Sequence, residues 1–331
     1  MNLQRILGTF TNLYPVWLIS GALLGLFHPP ALAWFSGDWL IWAFSIVMLS
    51  MGFTLTLDDF RRLFRMPGSL ALGFVAHYTI MPLTGWAVAK LLHLEPQLAV
   101  GLILVACCPS GTASNVVSFL ARADVALAVA VTLTSTLLAF IMTPLWTQFL
   151  AGQYVPVDAL GLCLSTLKIM VLPVLGGLLC NTFFPRAVAR VSRFGPTVSV
   201  IAIIFITGGI VAQNAASVRA NAGKLALAAF LLHAVGFFLG YFVSRVLRYP
   251  KKTARTVAIE VGMQNGGLAA LLARKNFPLQ PMAAVPAVFS AVIQNLVGSI
   301  VAIWWRQHPI TDESADGTRA ELAGEEIAEH P

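Results

Sequence analysis

Ten apolar stretches divide the chain, at about 14–28, 39–56, 69–92, 97–120, 125–150, 159–183, 196–213, 223–247, 254–273 and 281–305. Most come close to the roughly 20 residues that a helix needs to cross a ~30 Å hydrocarbon core. The runs are continuous rather than alternating, which excludes a β-barrel. The pattern predicts an all-α integral membrane protein of ten transmembrane helices joined by short loops. The least regular segment is 156–170, whose early part is open to an interfacial reading ahead of a shorter sixth span.

Polar and small residues interrupt the fourth and ninth stretches in mid-span. The fourth carries Cys108-Pro109-Ser110-Gly111-Thr112-Ala113-Ser114-Asn115 and closes on Leu120-Ala121-Arg122; the ninth carries Gly262-Met263-Gln264-Asn265-Gly266-Gly267 and closes on Leu272-Ala273-Arg274. They are the fourth spans of two five-helix halves, 14–153 and 154–305. Repeats of five insert with opposite orientation, so an inverted repeat is expected. Interrupted helices at matching positions of such halves point to a transport site.

Charge sets the orientation. Arg61, Arg62 and Arg65 follow span two, Arg122 follows span four, and Arg186, Arg190 and Arg193 follow span six. Arg245, Arg248, Lys251, Lys252 and Arg255 follow span eight, on the same side as Arg5 and Arg306. The opposite loops hold only Lys90, Arg219, Lys224, Arg274 and Lys275. The positive-inside rule places both termini, 1–13 and 306–331, in the cytoplasm of a multi-pass plasma membrane protein, the inner membrane in a bacterium.

Composition narrows the class further. The 331 residues are 58% hydrophobic and 11% charged, against about 25% charged in a soluble domain. The formal charge of +7 hides a split, because seven acids (Asp312, Glu313, Asp316, Glu321, Glu325, Glu326 and Glu329) crowd the last twenty residues. That tail is expected to be a disordered, solvated segment. The basic body follows from topology and implies no nucleic acid. Cys107, Cys108, Cys163 and Cys180 lie in apolar runs without CxxC spacing and read as small buried hydrophobes. The N-terminus lacks a cleavage pattern, so the first span is expected to be retained.

Glu260 stands out among the acids. Asp38, Asp58, Asp59, Glu95, Asp124 and Asp158 fall at or near the ends of apolar runs, whereas Glu260 sits inside one, beside the ninth-span break. A carboxylate at that depth costs several kcal/mol unless it has a partner. Pro109 and Gly111 preclude regular helix bonding in span four, and freed backbone survives only where protein or a water-filled cavity satisfies it. Two broken helices crossing near the midplane would serve each other. Their half-helix N-termini suit an anion; carbonyl ends suit a cation. Ser114, Asn115, Thr132, Gln264 and Glu260 supply neutral oxygens around one carboxylate, a set suited to a hard monovalent cation, and no His/Cys cluster suits zinc. Thr112 and Asn265, at the two breaks, are the candidates for substrate contact. Asn295 is either helix glue or cavity lining. His77, ahead of the Met81-Pro82 kink, is either a hydrogen-bonded structural residue or a lining one.

At these residues the chain resembles the bile acid:sodium symporter family. The matching stretches are Cys107 to Asn115, Ala126 to Thr132, and Glu260-Val261-Gly262-Met263-Gln264-Asn265, with Leu57-Asp58-Asp59-Phe60 and Ile80-Met81-Pro82 besides. The resemblance implies a panel domain and a core domain, the core carrying crossed helices four and nine with two sodium sites behind the crossing. By position, the first site would use Ser114, Asn115, Thr132 and Glu260. The second would use the Glu260 and Gln264 side chains with Val261 and Met263 backbone oxygens. Two departures bear on the coupling: Ala128 stands where the family often has serine, and His77 where some members carry a second-site glutamine.

The expected function is sodium-coupled import of an organic anion by alternating access, in a monomer. Bile-acid-like, pantothenate-related and small keto acids are all cargo types of the family. Two alternatives accompany it: a metalloid-anion exporter of the related ten-helix kind, using Cys107 or Cys108, and a non-transporting sensor with the acidic tail as its interaction segment. No nucleophile–base pair or cofactor motif points to an enzyme.

Overall fold

A computed structural model describes residues 10, 11, 13–63 and 66–310. The expectations for most of the N-terminal segment, Arg65 and the acidic tail from residue 311 lie outside these residues. All regular structure described is helical. The elements are α1 (Tyr14–Phe27), α2 (Asp38–Thr54), α3 (Leu57–Leu63), α4 (Pro67–Leu91), α5 (Pro96–Ala106), α6 (Ala113–Leu120), α7 (Val125–Ala151) and α8 (Ala159–Thr166). They continue with α9 (Leu172–Phe183), α10 (Pro185–Ser192), α11 (Gly195–Gln213), α12 (Ala215–Val246), α13 (Lys251–Gly262), α14 (Gly266–Asn276) and α15 (Val285–Gln307). Among the described residues, five continuous helices are long and apolar enough to cross a membrane: α7, the α8–α9 unit, α11, α12 and α15 with its leading turn.

Local chemistry sets the ends. Pro67, Pro96 and Pro185 open their helices, where a missing N–H costs nothing. Asp124 caps α7 by accepting from the Leu127 N–H at 3.1 Å, and Asp158 caps α8 from Gly161 at 2.9 Å. The helix over the segment that reads as least regular therefore starts at Ala159 and continues to Phe183. A π-helical turn, Leu167–Val171, joins α8 to α9 just ahead of Pro173, a residue that cannot donate into a regular ladder.

One boundary and one loop differ from the hydropathy reading. α12 begins at Ala215 rather than near 223, because Arg219 and Lys224 dilute the apolar signal without breaking the helix. These side chains bond the carbonyls of Leu26 and His93 respectively, tying the extension to neighbouring helix ends. The amphipathic α10 fills what reads as a plain basic loop.

Helix packing falls into two sets. α1 lies on α11 and α2 on α9; separately, α12 packs on α13, α4 and α15, and α4 on α5 and α7. Glycines permit the closest approaches, as small residues do between membrane helices. A Cβ on Gly52 would lie 2.2 Å from the Val174 carbonyl oxygen, and one on Gly25 2.3 Å from that of Gly208.

Candidate functional site

The breaks between α5 and α6 and between α13 and α14 meet and satisfy one another. Ser110 and Gln264 form an isolated antiparallel bridge. The Gly111 N–H donates to the Met263 carbonyl at 3.1 Å, and the Asn265 N–H to the Pro109 carbonyl at 2.8 Å. Gln294 of α15 adds a two-point clamp: its Oε1 accepts from the Gln264 N–H at 2.7 Å and its Nε2 donates to the Gln264 carbonyl at 2.9 Å. Backbone that would otherwise be orphaned inside the membrane is thus paired across the crossing.

Gly111 is where the two breaks touch, since a Cβ there would sit 2.6 Å from the Gln264 carbonyl oxygen. Gly111→Ala is expected to push the two breaks apart and destabilise the fold by about 1–3 kcal/mol, as overpacking does. Thermal unfolding in detergent checks this. An unchanged midpoint would mean that the crossing tolerates the added methyl.

Glu260, in the last turn of α13, is fully buried. Its Oε2 accepts from Ser110 Oγ at 2.8 Å and Thr132 Oγ1 at 2.7 Å, and Ser114 Oγ lies 3.3 Å from Thr132 Oγ1. Three helical segments therefore converge on one carboxylate. The other oxygen, Glu260 Oε1, is buried with no hydrogen-bond partner, as are Gln264 Oε1 and Asn115 Oδ1. Gln264 follows Glu260 by four residues and Asn115 follows Ser114 directly. Nearby, the Met263 carbonyl receives Gly111 and the Val261 carbonyl the Gln264 amide at 3.4 Å. Unpaired buried acceptors with no donor are costly. Unpaired oxygen acceptors in the broken helices, one of them a carboxylate, are of the chemical type that suits a hard cation.

His77 Nδ1 lies 2.9 Å from the Glu260 carbonyl and its Nε2 3.0 Å from that of Cys108, and a neutral imidazole donates its one N–H to one of the two. His77 is a strut between α4 and both broken helices. His233 of α12 is a second strut, from the Gly262 carbonyl to Ser290 Oγ, each at 2.8 Å.

On the other face of the crossing, Thr112, Asn265 and Gln294 line a narrow cavity with Tyr14, Thr207 and Phe44. Asn265 Oδ1 accepts from the Leu268 N–H at 3.0 Å and so caps α14, leaving its amide N–H groups for a ligand. Asn295 does not line this cavity. Its Nδ2 bonds the Ala291 carbonyl of its own helix at 2.6 Å, and the lining residue of the pair is Gln294. The Cys107 and Cys108 thiols are buried in the helix core and also absent from the lining. Sequence reasoning passed over Ser110, Gln294 and Tyr14; the small–polar character of the break carried the only signal for Ser110.

The model of the Sodium Bile acid symporter family matches residues 41–221. The chain is 46% identical over 294 residues to the chloroplastic "Probable sodium/metabolite cotransporter BASS1" of Arabidopsis thaliana, covering 89% of this chain and 73% of that one. It is 41% identical over 313 residues to the chloroplastic "Probable sodium/metabolite cotransporter BASS2" of Oryza sativa subsp. japonica, covering 95% and 74%. It is 41% identical over 293 residues to the "Uncharacterized sodium-dependent transporter YocS" of Bacillus subtilis, covering 88% and 90%. A matched domain exceeding half the chain, and relatives aligned along most of it, agree with the all-helical body and its crossed breaks: the chain belongs to the sodium bile acid symporter family of membrane transporters.

Proposed function

We propose that the protein couples inward movement of sodium to uptake of an organic anion by alternating access. The observation that carries this reading is the two-faced crossing. Behind it, Glu260 is held by hydroxyls through one oxygen, while its second oxygen and those of Gln264 and Asn115 have no donor. In front of it, Thr112 and Asn265 meet a cavity at the N-terminal ends of two half-helices. Sodium takes Ser114, Asn115, Thr132 and Glu260 at one site and Glu260, Gln264, Val261 and Met263 at the other. Glu260 bridges both. Sodium bound there fixes the two breaks, and their N–H groups with the Asn265 amide then hold a carboxylate.

The ten-crossing, inverted-repeat reading is supported by paired helix contacts. α1 on α11 corresponds to α9 on α2, α4 on α5 to α12 on α13, and α4 on α7 to α12 on α15. In this reading α1, α2, α8–α9 and α11 are the panel, the remaining spans the core, and both termini are cytoplasmic. Transport moves the panel against the core around the crossing in each monomer. The metalloid-exporter alternative gains nothing from thiols that do not reach the cavity.

Proteoliposomes given an inward sodium gradient, against an equal potassium gradient, test the proposal with a panel of labelled bile-acid-like, pantothenate-related and keto acids. Accumulation of at least one acid under sodium alone is expected. Equal uptake in both gradients for every transported acid would overturn the coupling.

Ala128 is a finer probe. It is fully buried in α7, one turn before Thr132. Ala128→Ser adds one hydroxyl and is expected to tighten sodium binding by up to about tenfold, one hydrogen-bond-sized gain. Sodium titration followed by tryptophan fluorescence reads this. Unchanged or weaker binding would mean that the first site is already complete.

A further inference from the structure

A second cavity, of about 630 Å³, opens between α12 and α15, away from the crossing. One end is cationic: Lys251 and Arg255 of α13 line it together with His308. The rest is apolar and aromatic, from Phe230 and Phe238 on α12 to Ile300 and Trp304 on α15. These four side chains are exposed on the helix bundle. Among the described residues, no acidic side chain lines the cavity.

The cationic end is built rather than incidental. Arg255 is only 6% exposed. Its guanidinium donates to the carbonyls of Trp305 at 3.2 Å and His308 at 2.5 Å and lies 5.5 Å from the Trp305 ring centroid. Two of its five N–H groups are so used, which fixes the group and leaves others to give. Lys251 is exposed at the first turn of α13, where the helix dipole adds to its charge. Neither side chain has a carboxylate partner among the described residues, where the ion pair found is Arg61–Asp58.

Depth matches the charge. From Tyr241 to Phe230, both in the lining, α12 descends roughly 16 Å at 1.5 Å per residue. That is about half of a ~30 Å hydrocarbon core, the depth of one leaflet. A slot one leaflet deep, apolar below and cationic at its mouth, has the dimensions and the polarity of a phospholipid with an anionic headgroup. Basic pockets between membrane helices hold such headgroups.

We propose that this cleft is a binding site for an anionic phospholipid of the leaflet facing the basic loops. Lys251 and the unused N–H groups of Arg255 hold its phosphate, and one acyl chain lies between α12 and α15. Because α12 and α15 both pack in the set of helices that carries the crossing, the lipid anchors that set to its own leaflet.

The test uses the full chain in phosphatidylcholine micelles, with tryptophan quenching by brominated phosphatidylglycerol or brominated phosphatidylcholine; Trp304 and Trp305 line the cleft. Half-quenching is expected at about fivefold lower mole fraction of phosphatidylglycerol, the effect of about one nearby cation. Lys251→Gln, at an exposed position, is expected to erase the difference, as is Ala234→Phe, which fills the cleft. Lys90→Gln, a control cation elsewhere, should leave it. Equal quenching by both lipids in the unaltered chain, or an undiminished preference in both cleft variants, would overturn the proposal. So would full competition by glycerol phosphate, which lacks acyl chains. A preference that emerges only when residues 311–331 are removed would assign the cleft to the acidic tail instead.

Discussion

Glu260→Ala is expected to abolish sodium-dependent stabilisation and sodium-driven uptake while the protein still inserts. The substitution removes the carboxylate shared by both proposed sites. It also leaves the Ser110 and Thr132 hydroxyls without the acceptor they now share, which costs about 1–3 kcal/mol where the groups stay buried. The alanine variant should therefore melt lower than the unaltered chain even in potassium. Glu260→Gln separates the two effects. Its one oxygen can accept from Ser110 and Thr132, so the fold is kept. Its NH2 then replaces the unpartnered Oε1 and presents protons where a cation needs an electron pair. The glutamine variant should melt like the unaltered chain in potassium and gain little on changing to sodium. A ligand at a hundred times its dissociation constant stabilises by about 2.7 kcal/mol, so that loss is measurable as a melting shift between salts of equal ionic strength. A glutamine variant that keeps the full sodium shift would remove Glu260 from the cation site.

Much of this arrangement is legible in the sequence, for identifiable reasons. The breaks announce themselves by clustering proline or glycine with polar residues, at Pro109–Asn115 and Gly262–Gly267, whereas the isolated Pro82 and Pro144 stay inside continuous helices. A lone carboxylate next to such a break is conspicuous because a bilayer makes it expensive. What stays hidden depends on partners distant in the chain. Ser110 meets Glu260 across 150 residues, and nothing local separates it from Ser114 as the donor. Gln294 and Asn295 are adjacent and similar in chemistry. Only the rotation of α15 decides that Gln294 clamps Gln264 while Asn295 bonds its own helix. His77 is legible as important, but its position between the Glu260 and Cys108 carbonyls depends on partners far apart in the chain. The early start of α12 escapes a hydropathy window because its first turns bond other helix ends through Arg219 and Lys224.

The other large effect is expected at Asn265, where the fold separates cap from donor. Asn265→Ala removes both the cap on Leu268 and the amide that faces the cavity. Loss of such a cap typically costs about 1 kcal/mol, and loss of one hydrogen bond to a charged group weakens anion binding roughly tenfold to a hundredfold. Alanine alone confounds the two. Asn265→Asp does not: an aspartate oxygen caps Leu268 at least as well, and a negative charge in the first turn favours the dipole of α14. The same carboxylate offers no proton to an anionic substrate and repels it. The aspartate variant keeps the cap, which offsets part of the cost of a carboxylate at that depth, and should lose substrate affinity more severely than the alanine variant. Sodium affinity measured without substrate should change little in either, because Glu260 does not line the cavity that Asn265 faces. Equilibrium binding of a transported acid, with sodium titrated separately, distinguishes the faces. If Asn265→Asp binds the acid normally, the substrate lies elsewhere. If it tightens or erases sodium binding instead, Asn265 belongs to the cation face and the two faces are reversed.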